Sequence, residues 1–240
     1  MINWKRVRLA RTSRLILGAA AVALMAPAVS AQGVDVCGSL ENHFGPFDYR
    51  TSADKHAIVE RFHFTSDVEQ LRRGASTYII GGDISYVLRV FPNHHRALNA
   101  MARLSVKEKT QKPRGSSYSV DCWFQRALRF RPDDMMVEML YGMHLLRSGQ
   151  AQAAIKHLEI ARKSGLRDAN LYYNLGLAYV QLKRYDEALD SAHVAYALGF
   201  PLPGLRNQLQ RAGRWRADPD PAARRRPAAA ATAESEAPQR

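Results

Sequence analysis

From about Thr65 to Gly199 the apolar residues recur at helical spacing, in short segments divided by glycine and proline. That pattern predicts pairs of helices and an all-α fold. Val68–Arg73 and Asp83–Phe91 read as a first, degenerate pair, closed by Pro92. Ala97–Leu104 opens a second pair, whose other helix carries Phe124 and Ala127 and ends before Pro132. Between them, Lys107–Ser117 reads as a long basic loop containing Gly, Pro and Ser. Met135, Met136, Met139 and Met143 fall at helical spacing on the next segment. Gly149 and Gly165 stand at expected helix ends, where left-handed backbone is needed. Asp83 after Gly81-Gly82, and Asn93 after Pro92, read as N-caps. Leu205 and Leu209, at i and i+4, mark a short closing helix over Pro203–Arg211.

The segments repeat. Leu175, Gly176, Tyr179, Ala188 and Ala195 lie 34 residues after Tyr141, Gly142, Leu145, Ala154 and Ala161, so Gly falls on Gly and Ala on Ala. Small residues at such positions let two helices cross closely, and Tyr and Leu fill the space between neighbours. An amphipathic pair cannot cover its own apolar face, so stacked neighbours must share one core. Tyr172-x-x-Leu175-Gly176-x-x-Tyr179, followed by Tyr185-Asp186-Glu187-Ala188, resembles the tetratricopeptide repeat family. The resemblance covers about 65–199, strongly in the last two repeats and weakly in the first two. It implies a right-handed α-solenoid of helix-turn-helix repeats over 65–212, capped by the closing helix and preceded by an irregular arm, 32–64.

The ends add an address. Lys5, Arg6, Arg8, Arg11 and Arg14 precede an apolar run from Leu15 to Pro27 and the small-residue stretch Val29-Ser30-Ala31. This is the pattern of a secretory signal peptide, 1–31, cleaved near Ala31. An uncleaved anchor is the alternative; the run is short for a span. Asp35 before Cys37 does not suit a lipidation box. The expected location is periplasmic or secreted. Taking the five leader bases from the net charge of +13 leaves +8, part of it in the tail around Arg224-Arg225-Arg226. An exported chain rarely meets nucleic acid, so this charge reads as solubility, with peripheral contact to an anionic membrane surface as a secondary role. Residues 213–240, rich in Pro and Ala, read as a disordered tail. Cys37 and Cys122 are the only cysteines. In an oxidising compartment they are expected to bridge and pin the arm to the helical body, two unpaired thiols being the alternative.

By the family register, a concave peptide-binding groove would be lined by Asn99 and Arg103, then Met136, Met139, Met143 and Leu146, then Asn170, Tyr173, Asn174 and Leu177. Asn99, Arg103 and Asn174 match a carboxylate clamp only in part, and methionine replaces it in the middle repeat. Methionines at this spacing read first as core. Their flexibility also suits a surface that accepts apolar peptide side chains. In the arm, His43-Phe44-Gly45-Pro46-Phe47-Asp48-Tyr49-Arg50 places aromatics around a turn. They are expected to anchor the arm, with partner recognition as the alternative. No histidine pair has metal-site spacing on one helix face, and no nucleophile elbow or P-loop is present. The expected activity is non-enzymatic, without a cofactor: a scaffold for a protein or peptide of the cell envelope. A structural or assembly factor docking by its arm or basic surface is the alternative. A metal-dependent enzyme has the least support in the residues. No pattern sets an oligomeric state.

Overall fold

A computed structural model describes residues 37–222 and 224. The leader and its cleavage site lie outside the described residues. Those described form ten helices and no strand: α1 Ala53–His63, α2 Ser66–Glu69, α3 Ile80–Val90, α4 His95–Glu108, α5 Val120–Phe130, α6 Met135–Arg147, α7 Ala151–Lys163, α8 Ala169–Gln181, α9 Tyr185–Ala197 and α10 Gly204–Arg211. None is long and apolar enough to cross a membrane.

Helices α6 to α9 are each 13 residues long, and α8 and α9 begin 34 residues after α6 and α7. The contacts repeat with them. A Cβ on Gly142 would lie 3.1 Å from the Ala154 carbonyl and 2.5 Å from Leu158 Cγ; one on Gly176 would lie 3.3 Å from the Ala188 carbonyl and against Leu205. The two glycines therefore let α6 and α8 approach the backbones of α7 and α9. Asp134 and Asp168 cap α6 and α8 in equivalent places, accepting from helix N–H groups. Each consecutive pair from α3 to α9 is in contact. In addition α4 touches α6, α6 touches α8, and α10 covers α8 and α9. One continuous apolar core runs from Val59 to Leu209, with Phe91, Trp123, Phe124, Leu158, Leu171 and Leu175 fully buried in it.

Several expectations change at the two ends. The arm is not wholly irregular, because α1 occupies Ala53–His63. Its sequence hides it: only Val59 is buried, so no apolar stripe marks the helix. The expected helix over Val68–Arg73 is a single turn, α2, and the chain then bends at Leu71, where φ is +60°. Asp83 does not cap α3. It lies inside the helix, fully buried, and accepts from Ala75 N (2.7 Å) and Thr77 N (3.0 Å), so it holds the loop that precedes α3. Gly81 is needed because the Arg114 carbonyl of the basic loop lies where its Cβ would be. That loop is thereby packed onto α3.

The tail also keeps a defined course beyond Gly213. Trp215 packs edge-on to His193 (5.3 Å) and Tyr196 (6.1 Å), with the Arg206 guanidinium 4.9 Å from its ring. His193 Nε2 donates to the Arg216 carbonyl at 2.8 Å. Further on, Arg224 pairs with Asp218 (3.1 Å) and Asp190 (3.5 Å). A tryptophan with a cation above it and an aromatic pair beneath it offsets the chain entropy that the Pro- and Ala-rich composition emphasises.

Cys37 and Cys122 form a disulfide that closes a separation of 85 residues. Buried Arg126 reinforces it, donating Nη1 to the carbonyls of Cys37, Gly38 and Ser39 at 2.7–3.0 Å while lying 4.5 Å from the Tyr118 ring. Constraining so long a loop in the unfolded chain is worth about 3–5 kcal/mol. The Cys37→Ser/Cys122→Ser variant should lose that much stability, and reductant should lower the melting temperature of the wild type but not of the variant. A wild-type transition indifferent to reductant would contradict this.

Candidate functional site

The face shared by α4, α6 and α8 is the one on which the groove residues were expected, and it divides them. Asn99, Met136, Met143, Tyr173, Asn174 and Leu177 are half-buried, and Arg103 and Asn170 are exposed. Met139 and Leu146 are not surface residues. They are 4% and 6% exposed and belong to the core. The cause is helical phase. Met136, Met143 and Arg147 follow i, i+7 and i+11 along one face, while Met139 and Leu146 are turned toward the neighbouring helices. Arg147, which the register argument missed, is the exposed residue at the end of this face. Its position four residues after Met143 was the available signal.

The chain itself uses part of this surface. Tyr173 stacks on Phe200 with ring centroids 3.8 Å apart. Asn174 Nδ2 donates to the Asn170 carbonyl at 2.8 Å, within its own helix. The Arg103 guanidinium donates to the Glu69 carbonyl. Arg147 has no hydrogen bond or ion pair among the described residues. Surrounding protein first, and the neighbouring charge of Arg103 second, lower its guanidinium pKa. Arg103 and Arg147 lie near one another at one end of the methionine pair, and although Glu69 acts on Arg103, Arg147 has no acidic partner, which favours an anionic ligand over a cationic one there.

Beside this face the arm is locked to the body by a polar network. Asn93, fully buried, donates Nδ2 to Asp48 Oδ1 (2.7 Å) and Asp134 Oδ2 (2.9 Å) and accepts from Tyr49 N (2.9 Å). Asn93 is therefore not the cap of α4. His94 takes that place, accepting from Ala97 N through Nδ1 at 3.1 Å. With Nδ1 as acceptor, Nε2 carries the proton and donates to Glu60 Oε1 at 3.0 Å. Asp48 also binds Arg50 Nη2 at 2.9 Å, and Arg131 Nε stands 2.8 Å from it at an ion-pair distance without hydrogen-bond alignment. His95 Nε2 donates to Asp134 at 2.9 Å. Phe47 and Tyr49 pack on Phe91, and Tyr49 stacks on His94 at 4.0 Å. These contacts fit the expected anchoring role of the arm aromatics.

Among the described residues, no group of three or more His, Cys, Asp or Glu is arranged to hold a metal ion. Comparison with protein-family models, with curated proteins and with solved structures returns no match. The functional reading therefore rests on the residues of this chain.

The network titrates with one sign. Burial pushes His94 below its ordinary value, against the pull of Glu60. The Arg50 guanidinium holds Asp48 far below the carboxylate range. For Asp134, burial pushes upward, but hydrogen bonds from His95 and Asn93 outweigh it and the net shift is downward. A group with a depressed folded pKa contributes stability above its unfolded value and loses it as pH falls through the folded one. That window opens below 6.5 for His94 and below 3.8 for the two aspartates. Thermal stability should therefore fall on acidification in two stages. His94→Asn keeps a capping oxygen and should remove the upper stage alone. Melting curves from about pH 8 to about pH 2.5 test this, and a His94→Asn profile parallel to the wild type would refute the assignment.

Proposed function

We propose that the chain is an exported tetratricopeptide-type solenoid that acts as a non-enzymatic scaffold, holding an acidic peptide segment of a cell-envelope protein on the face shared by α4, α6 and α8. The observation that carries this reading is the exact recurrence of the α6–α7 unit in α8–α9, with glycine, alanine and aspartate cap repeated at 34 residues. Units of this kind stack with their first helices side by side, which agrees with the contacts of α4 with α6 and α6 with α8. The unpartnered Arg147, the adjacent Arg103 and the half-buried Met136 and Met143 supply charge and adaptable apolar surface on that face. The basic leader and apolar run support export.

A second reading has its own observation. Phe200 on Tyr173, together with the burial of Met139 and Leu146, means that the chain fills part of its own groove. In that reading the protein is an assembly factor that docks by its arm or basic surface.

Photo-cross-linking in the native envelope separates them. Probes at Met143 and Arg147 should capture one envelope protein, while a probe at Lys156, exposed on α7, should not. Arg147→Glu should weaken capture about ten-fold or more, and raising salt should weaken the wild type in the same direction. Capture confined to probes in the arm or the 109–117 loop would replace the groove reading with the second one.

A further inference from the structure

A cleft of about 390 Å³ opens between the arm, α1 and α3, away from the α4–α6–α8 face. Its apolar walls include Phe44, Ile58, Phe62 and the Tyr86 ring, and its polar side chains are His63, Ser76 and the hydroxyl-bearing Tyr86. Ile58 is 56% and Phe62 50% exposed, on a helix that buries only Val59. Apolar side chains this exposed around a concavity are the usual mark of a binding surface.

The polar wall specifies what would enter. Asp83 is fully buried and accepts from the Ala75 and Thr77 amides, so it acts as a carboxylate acceptor toward His63 Nδ1 at 2.9 Å. In the neutral imidazole the proton is then on Nδ1, and Nε2 is left with a bare lone pair. Nε2 has no partner among the described residues. The ring is stacked on Tyr86 at 4.0 Å with its Nδ1 edge toward Asp83, so the opposite edge borders the cleft. Ser76 donates its hydroxyl to the Phe62 carbonyl at 2.7 Å, which leaves only lone pairs on that oxygen. Ser76 is not hydrogen-bonded to His63, so the Asp83–His63 pair has no activated nucleophile. His63 Nε2 and the Ser76 oxygen are thus acceptors, and His63 Nε2 calls for a donor.

The rim specifies charge. The Arg61 guanidinium lies 5.5 Å from the Phe62 ring and that of Arg89 5.9 Å from the Tyr86 ring. Neither forms an ion pair among the described residues. The nearby acids are engaged elsewhere: Glu60 by His94 and Arg96, Asp54 by Lys55.

We propose that this cleft binds an acidic peptide segment through a tyrosine or tryptophan side chain, the ring lying between Ile58, Phe62 and Tyr86, its O–H or N–H donating to His63 Nε2, and its flanking carboxylates meeting Arg61 and Arg89. It is a second recognition site, independent of the groove.

The test titrates the full mature chain with acetyl-Glu-Glu-Tyr-Glu-Glu-amide and with the same peptide carrying Phe for Tyr. The tyrosine peptide should bind about five-fold or more tightly than the phenylalanine one, the size expected for one hydrogen bond to an otherwise unpaired acceptor. It alone should shift the His63 Nε2 resonance in imidazole ¹⁵N spectra. Arg61→Glu and Phe62→Ala, both at exposed positions, should each weaken binding about ten-fold without loss of fold. Lys156→Gln, at an exposed position on α7, should leave it unchanged. Equal binding of the two peptides, no binding at millimolar concentration, or binding that does not respond to Arg61 and Phe62 would each overturn the proposal.

Discussion

The carboxamide of Asn93 is the point on which the N-terminal half of the structure depends. Its three hydrogen bonds reach the arm through Asp48 and Tyr49 and the start of α6 through Asp134. Asn93 itself lies at the start of α4. One side chain thus sets the relative positions of the arm, α4 and α6. Arg50 supplies positive charge and His95 a further donor around the two carboxylates. A buried network of this kind is stable only when each member is satisfied, because removing one partner leaves the others desolvated and unpaired. It also orders the aromatic layer. Tyr49 can lie on His94 only because its backbone N–H is held by Asn93.

The C-terminal half follows another constraint, close backbone approach. Gly142 and Gly176 bring α6 and α8 against α7 and α9, and the intervening volume is filled by Leu158 in one unit and by Leu205 of α10 in the next. The substitution of a closing helix for a further repeat is visible in that one exchange. Leu205 does for Gly176 what Leu158 does for Gly142. Trp215 and the residues after it then pack on α9 through His193 and Tyr196, and Leu202 is the large apolar side chain left exposed at this end. The N-terminal end is different, since α1 leaves Ile58 and Phe62 uncovered.

What was legible in the sequence follows this division. The 34-residue units were legible because close packing restricts Gly142, Gly176, Ala154 and Ala188 to small residues, and that restriction appears as a repeat. The cysteine pairing followed from parity and from the oxidising compartment that the leader led one to expect. By contrast α1 was hidden because a helix with one buried residue carries almost no periodicity. Asn93 and Asp83 were assigned local capping roles, whereas their partners lie up to 45 residues away and no local pattern encodes them. His94 was missed as a cap because histidine is not among the usual capping residues, and only Glu60 makes its donor and acceptor nitrogens fall in the right order. On the candidate face, a fraction of a helical turn separates Leu146 from Arg147. Fixing that phase takes the observed packing of α4 and α8 on α6.

That phase decides what the proposed groove could recognise. With Leu146 on the surface the face would be a continuous apolar strip, suited to any amphipathic helix. With Arg147 there instead, the strip shortens to Met136 and Met143, with Arg147 and the neighbouring Arg103 at one end. Phe200 on Tyr173 then closes the α8 end to a side chain of similar size. The open part is therefore short, apolar along Met136 and Met143 and positively charged at its Arg147 end. An extended segment with one or two apolar side chains followed by a carboxylate satisfies these features, while a long amphipathic helix would have to displace Phe200 and leave Arg147 facing apolar surface. The desolvation cost of the second arrangement falls on a guanidinium that protein and a like charge already disfavour. Electrostatics thus selects among the ligands that the fold alone would admit.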